Sequence, residues 1–400
     1  ERSSVLGTDK DEFKMEVYRF SDDFGKEGQD VTLRFDLTVP LSRVVAAYPD
    51  LIKPFKRYQY GKVFRKEKPQ SGRYREFAQL DADIVGSDSV LADVETIQVM
   101  YQAMKSLDIN NFIVRFNNRK ILNGLPALAG FEEKKTMDVF RVLDKLEKVG
   151  LEATIKELQR QPDNKFDETV CALSGESVSE IRKFLDISGD PISLIKQLRE
   201  LFKGIKIAEE GISECEQIIN SLNELSIPEK NWQFDLSIAR GLGYYTGPVF
   251  ETTLTDLPGI GSVFSGGRYD ELVMRYTGEK IPATGASVGV DRLITALEKL
   301  GKLGKTKSTA KVLIAMINKK LEMKIIKLAQ RLRGAGIGTE IYLGGSDMLK
   351  AQVVYAAKRE IPFMIILGEE EDRVGKLKLK NMDERKEFLL TEKELIDRLR

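Results

Sequence analysis

Phe64-Arg65-Lys66-Glu67 and, after a Lys/Pro/Gln/Ser/Gly link at 68–72, Arg73-Tyr74-Arg75-Glu76-Phe77-Ala78-Gln79-Leu80-Asp81-Ala82-Asp83 make the densest constellation of charged and aromatic residues in the chain. The patterning of residues 56–67 and 75–85 predicts two antiparallel strands joined as a hairpin with a long loop. Successive strand side chains point to opposite faces, so Phe77, Gln79, Asp81 and Asp83 share one, and Arg65 and Glu67 share another. An aromatic ring, an amide and two carboxylates on one sheet face suit a ligand with a flat ring and a cationic group. Arg65 and Glu67 could meet a phosphate and a base amine. An exposed face of charged cross-strand pairs explains the same residues, and residue types alone leave both readings open.

Working outward, the 400 residues carry 42% hydrophobic and 31% charged side chains and a formal net charge of +1, the composition of a soluble globular protein of about two to four domains. There is no histidine. That excludes Ser–His–Asp and Cys–His catalysts and His-ligated zinc within this sequence, and Cys171 and Cys215 are too few for a thiolate zinc site. No fixed metal site is expected. The two cysteines read as reduced and buried, as in an intracellular protein. No apolar run approaches the roughly 18 residues that span a bilayer, and a cytoplasmic protein with no membrane contact is the expectation. With no initiator methionine, the sequence reads as the truncated form of a longer one.

Four segments emerge. Residues 1–118 are β-rich, with an alternating stretch Phe13–Phe20, another from Val31 to Phe35, a helix opened by Pro40 and an amphipathic helix near 89–107. Residues 119–228 show helical periodicity, as at 194–202, and read as a helical insertion. Strand patterns return over 229–304, at 232–238, 249–254 and 262–265. After a Lys/Gly/Thr-rich link, residues 310–400 alternate strand and helix, the pattern of βαβ units and a mostly parallel sheet. Residues 306–400 hold 20 Lys and Arg against 14 Asp and Glu, whereas the first 305 hold 43 against 48. A basic end module on an acidic body favours a polyanionic partner, although solvated surface charge would look similar.

Two further clusters could carry chemistry. Arg240-Gly241-Leu242-Gly243-Tyr244-Tyr245-Thr246-Gly247 and Gly266-Gly267-Arg268-Tyr269-Asp270 combine glycines, which permit close backbone approach, with tyrosines. A turn with buried aromatics fits them equally. Gly285–Arg292 places small residues on a strand that runs into a helix at Asp291, where Arg292 adds a cation to a positive helix end and suits a polyphosphate. Capping and tight packing explain that segment too. Gly304-Lys305-Thr306 lacks the upstream glycine of a phosphate loop, since Lys299 stands there.

Taken in order, Leu33–Thr38, Phe64–Glu67 with Arg73–Asp83, Arg240–Thr246, Gly266–Asp270 and Gly285–Arg292 closely resemble the histidyl-tRNA synthetase family: its substrate strand, motif 2, two histidine-specific motifs and motif 3. The resemblance covers nearly the whole chain. It implies an α+β catalytic domain with a class II antiparallel sheet, a helical insertion and a C-terminal α/β anticodon-binding domain. It further implies a histidine–tRNA ligase that uses ATP with Mg2+ to activate L-histidine and charge tRNA(His), working as a homodimer.

Carried over by position, Arg240 would be the catalytic cation at the α-phosphate, and Arg65 would hold that phosphate and the histidine carboxylate region. Glu67 would bind the adenine amine, Phe77 would stack on adenine, and Arg292 would cover the ring's other face or the γ-phosphate. Asp36, Gln79 and Asp83 would hold the substrate's amino group and carboxylate, with Thr38 helping at the amino group. Tyr245 and Tyr269, with Tyr244 nearby, would line the imidazole pocket. Two departures stand out: Gly243 replaces the family's usual Asp, and most of motif 1 is absent. The alternatives are the synthetase-like regulatory subunit of ATP phosphoribosyltransferase, which tends to lose the histidine motif and end domain, and a tRNA-sensing pseudo-synthetase module, which degrades the ATP residues.

Overall fold

A computed structural model describes residues 17–20, 31–162, 170–239, 244–303 and 307–400. The chain divides into two compact units, Glu1–Lys302 and Leu303–Arg400. In the first, β1 (Arg19–Phe20) and β2 (Val31–Thr32) form a small antiparallel pair, and β3 (Phe55–Phe64), β4 (Glu76–Val85), β5 (Phe112–Asn118), β6 (Trp232–Phe234), β7 (Pro248–Leu254), β8 (Phe264–Arg268) and β9 (Ala283–Gly289) form a seven-stranded sheet. Its order is β3-β4-β9-β8-β7-β5-β6, antiparallel except for the β5–β6 pair.

The hairpin expected around the opening sequence is β3–β4, in register from Phe55 opposite Val85 to Phe64 opposite Glu76. The alternation of Val31–Phe35 yields a ladder only at Val31–Thr32; the expected strand at 13–16 lies outside the described residues. Beyond Trp232, the strand expected to reach residue 238 stops at Phe234. Asp235 turns the chain there: its Oδ1 accepts the Ser237 N–H at 2.9 Å and hydroxyl at 2.7 Å, while Oδ2 accepts Arg115 Nε–H at 2.7 Å. A local side-chain turn thus outcompetes ladder bonding.

The sheet is closed from behind by the helix Val90–Ser106, whose Ser89 hydroxyl caps it by accepting the Leu91 N–H and whose Ile97, Met100 and Met104 are fully buried. The long helix Lys206–Glu224 packs on that helix and on Arg119–Asn123. Its Ile212, Cys215, Ile218 and Leu222 enter the same apolar core as Phe112, Phe116 and Phe234 of the sheet. The segment that reads in sequence as an insertion therefore shares the sheet's core at its ends.

Close approach of β8 and β9 sets the sheet's centre. A Cβ added at Gly266 would stand 2.5 Å from Ala286 Cα, and one at Gly285 would stand 2.7 Å from the Asp83 carboxyl carbon and from Ala82 O. Only hydrogen fits there.

The second unit is a five-stranded sheet in the order β11-β10-β12-β13-β14, from β10 (Val312–Ile314), β11 (Thr339–Ile341), β12 (Phe363–Ile366), β13 (Leu377–Asn381) and β14 (Glu387–Leu390). The first three strands are parallel, as the alternating pattern predicts, whereas β13 and β14 add antiparallel edges. Helices cover both faces. Val312 and Ile314 point toward a core with Ile325, Leu328 and Leu395, while Leu313 joins Ala356 and Met364 in another. The antiparallel extension is hidden in sequence because Lys378 and Lys380 interrupt the apolar run.

Gly266→Ala should cost about 1–3 kcal/mol of stability through the forced separation of β8 from β9. Calorimetric unfolding checks it, and an unchanged midpoint would show that the strands can part freely.

Candidate active site

A cavity of about 300 Å³ opens on the sheet between β4, β8 and β9, and its lining includes Asp36, Thr38, Arg65, Glu67, Phe77, Gln79, Asp81, Asp83, Tyr244, Tyr245, Tyr269, Asp291 and Arg292. Eleven residues expected from sequence thus meet in one place, although they come from segments as far apart as 36 and 292. Arg240 and Gly243 lie outside the described residues.

The alternation of β4 sets the floor, with Phe77, Gln79, Asp81 and Asp83 in a row. At the Asp83 end, the Tyr269 hydroxyl donates to Asp83 Oδ1 at 2.5 Å, and Tyr244 donates to Asp36 Oδ2 at 3.4 Å. The rings of Tyr244 and Tyr245 stand edge to face at 5.0 Å, and Tyr244 and Tyr269 at 6.1 Å. Burial drives all three phenols above their ordinary range, Asp36 and Asp83 adding repulsion, so they remain neutral donors. Asp36 Oδ1 accepts the Val39 N–H at 3.0 Å, which seats it at the start of the helix Thr38–Ala47.

At the other end, Arg65 donates from Nε to Phe35 O at 3.2 Å, and its guanidinium lies 4.4 Å from the Phe35 ring centre and 5.4 Å from that of Phe77. Glu67 is held by Arg73 Nε at 3.0 Å, with Arg65 Nη1 at 3.9 Å. Arg292 donates to Ser262 O at 2.6 Å and Gly72 O at 3.3 Å, tying the β3–β4 loop to its own helix. Neighbouring Asp291 accepts the Ala78 N–H at 2.6 Å. The site is therefore graded: Arg65 and Arg292 stand at the Phe77 end beside Glu67 and Asp291, whereas Asp36, Asp81, Asp83 and the three phenols gather at the Asp83 end.

Sequence reasoning missed Arg57. It lies opposite Asp83 across the β3–β4 ladder and reaches Asp83 Oδ2 at 2.8 Å, Leu37 O at 3.1 Å and Asp81 Oδ2 at 4.0 Å, and donates to Gln59. The signal was available: alternation along β3 places Arg57, Gln59 and Gly61 on the face that carries Asp83. Arg268 was quoted only as part of a motif. It is buried, donates twice to Asp93 at 2.6 and 3.0 Å and also to the carbonyls of Ser87 and Ser89, and so anchors the residue beside Tyr269 to the start of Val90–Ser106. Even with that partner, burial pushes the Asp93 carboxyl up to about 6.

The model of the family described as "Histidyl-tRNA synthetase" matches residues 1–293, and a model described as "Anticodon binding domain" matches residues 311–400. The chain belongs to the histidyl-tRNA synthetase family. The histidine–tRNA ligase of Helicobacter acinonychis is 40% identical over 95% of this chain and 83% of its own length, and that of Wolinella succinogenes is 42% identical over 93% and 82%. The crystal structure of the histidyl-tRNA synthetase from a Nostoc species superposes with a TM-score of 0.83 at 31% identity, covering all of this chain and 89% of that one. The antiparallel sheet of the first unit and the α/β second unit are those of a class II histidyl-tRNA synthetase.

Within this histidyl-tRNA synthetase site, Asp81 has an acid range raised to about 7 from 3.8, chiefly by burial and next by the charge of Asp83, with Ser287 and Arg57 opposing. A raised carboxyl favours the protonated folded state. Its contribution to stability is intact below about pH 4 and is lost as pH rises toward 7. Asp81→Asn should therefore raise the thermal midpoint of the ligand-free protein at pH 8, raise it less at pH 5 and change it little near pH 4; a lower midpoint at pH 8 would contradict this reading.

Proposed function

We propose that the cavity joins L-histidine to ATP as histidyl-adenylate and that the chain then transfers the histidyl group to tRNA(His). The observation that carries the reading is the polarity of the cavity. Its carboxylate and tyrosine end suits a small cation bearing an imidazole, and its arginine end, with Phe77, Glu67 and Arg292, suits an adenine nucleotide.

In the first step a histidine carboxylate oxygen bonds to the α-phosphorus while the bond to the β-phosphate bridging oxygen breaks, releasing pyrophosphate. No proton need move, so an active site without histidine is sufficient. Negative charge spreads over the phosphate oxygens, and fixed guanidinium groups stabilise it at little cost in reorganisation. Arg65, held by Phe35 O, is one such group, and Arg240 is assigned the other. Asp36 with Thr38, Gln79 and Asp83 would orient the amino acid, while Tyr244, Tyr245 and Tyr269 enclose its ring. In the second step the terminal ribose hydroxyl attacks the activated carbonyl, AMP leaves, and the adenylate's own phosphate takes the hydroxyl proton.

Among the described residues no three His, Cys, Asp or Glu side chains are grouped to hold a metal ion. That donor set fits Mg2+ only as an ion that arrives on ATP, bound largely through phosphate oxygens. When bound there it would neutralise phosphate charge.

The basic second unit is assigned to the tRNA anticodon region, in line with the family model that matches it. A homodimer is supported by the outer face of edge strand β3, where Tyr58 and Tyr60 are 83% and 66% exposed beside Leu80. Two exposed aromatic residues on one edge strand, with Tyr60 paired to Leu80 of the next, suit a protein interface. Among the described residues no helix is long and apolar enough to cross a membrane, and the cytoplasm, where tRNA is charged, is the assigned compartment. Neither non-catalytic alternative needs Arg65, Glu67, Phe77 and Arg292 gathered around one cavity.

Histidine-dependent exchange between ATP and pyrophosphate tests the proposal. Histidine alone among the amino acids should support exchange, and Arg65→Ala or Arg240→Ala should slow it by about 10²–10³. Exchange with another amino acid, or an undiminished rate in both variants, would overturn it.

A further inference from the structure

Asp81 belongs to no assigned role, yet it lies in the cavity floor between Gln79 and Asp83 and is 2% exposed. Its two carboxylate neighbours are occupied. Asp83 takes the Tyr269 hydroxyl on one oxygen and is ion-paired to Arg57 at 2.8 Å through the other; Asp36 takes the Val39 N–H and the Tyr244 hydroxyl. Among the described residues no hydrogen bond is formed to Asp81 Oδ1 or to Gln79 Oε1, two residues along the same strand face, and the side chain facing Asp81 from β9 is the neutral Ser287. A buried acceptor left open costs stability unless a ligand fills it.

Charge points the same way. Asp36, Asp81 and Asp83 are close enough to repel one another, and among the described residues the guanidinium paired with them, Arg57, is 2.8 Å from Asp83 but 4.0 Å from Asp81. Among the described residues no cation stands closer than that to Asp81. Near neutral pH the α-ammonium of histidine is fully charged, whereas its imidazole is largely neutral. An ammonium also carries three donors, enough to satisfy open acceptors on two residues at once.

We propose that Asp81 is a direct substrate contact, the counter-charge that selects the α-ammonium group of the amino acid together with Gln79. The assignment rests on histidine being the substrate and adds a specificity residue to that reading. Arg57 and Tyr269 keep Asp83 turned toward the ring end, which leaves Asp81 as the carboxylate with capacity for the amino group.

Calorimetric titration of the full chain and of Asp81→Asn with three probes tests the assignment: histidine, histidinol, which keeps the ammonium and lacks the carboxylate, and imidazolepropionate, which lacks the ammonium. Asp81→Asn should weaken histidine and histidinol by about 10- to 100-fold and leave imidazolepropionate unchanged or tighter. Equal weakening of all three, or weakening of none, would overturn the role of Asp81. Failure of the unmodified chain to bind histidine at all would instead overturn the functional reading beneath it. Because asparagine removes a buried charge at constant shape, loss of fold is not the expected outcome, and a melting curve on the same sample verifies it.

Discussion

One guanidinium holds the acidic end of this site together. Arg57 stands on the edge strand β3, yet its side chain turns into the protein and bonds at once to the carboxylate of Asp83 on β4 and to the carbonyl of Leu37. Leu37 lies between Asp36 and Thr38, so a single residue fixes the helix start that presents those two side chains against the floor that presents Asp83. A buried carboxylate deprived of its partner would hold a proton instead of a charge. Without Arg57 the cluster of acids beneath the tyrosines would lose both its geometry and part of its ionisation.

Around that anchor the site uses size and burial as much as charge. Gly285 and Gly266 allow β8 and β9 to close behind Asp83, where any side chain would collide with the carboxylate or with the neighbouring strand. Arg268 secures the end of β8, and thereby Tyr269, through its bonds to Asp93. The tyrosines stay protonated and can donate. The absence of histidine from the chain is chemically coherent with this design: the adenylation step calls for fixed cations at phosphate and no general base.

Much of this was legible in the sequence, for identifiable reasons. Alternation gave the β3–β4 hairpin and the shared face of Phe77, Gln79, Asp81 and Asp83, because period two is a direct consequence of strand geometry. The three parallel strands of the second unit were legible from the repeating strand and helix pattern. What brought Tyr244, Tyr269 and Asp36 to that face was not, since it depends on contacts between segments some two hundred residues apart; only the family resemblance joined them. Arg57 escaped because an arginine in an alternating strand reads like any surface ion-pair partner. The stop at Phe234 depended on the side-chain turn of Asp235, and β13 was masked by lysines that project from its partly exposed face. Arg240 rests on the resemblance throughout.

The planar guanidinium of Arg57, more than its charge alone, sets the acidic end of the site. Lysine keeps the charge, but a single ammonium cannot reproduce a planar guanidinium that gives Nη1 to Gln59 and Nη2 to both Leu37 O and Asp83. Calorimetric titration of Arg57→Lys with histidine and, separately, with ATP tests this most directly. The predicted result is a large loss of histidine affinity with ATP affinity retained. Histidine binding equal to that of the unmodified chain would contradict it.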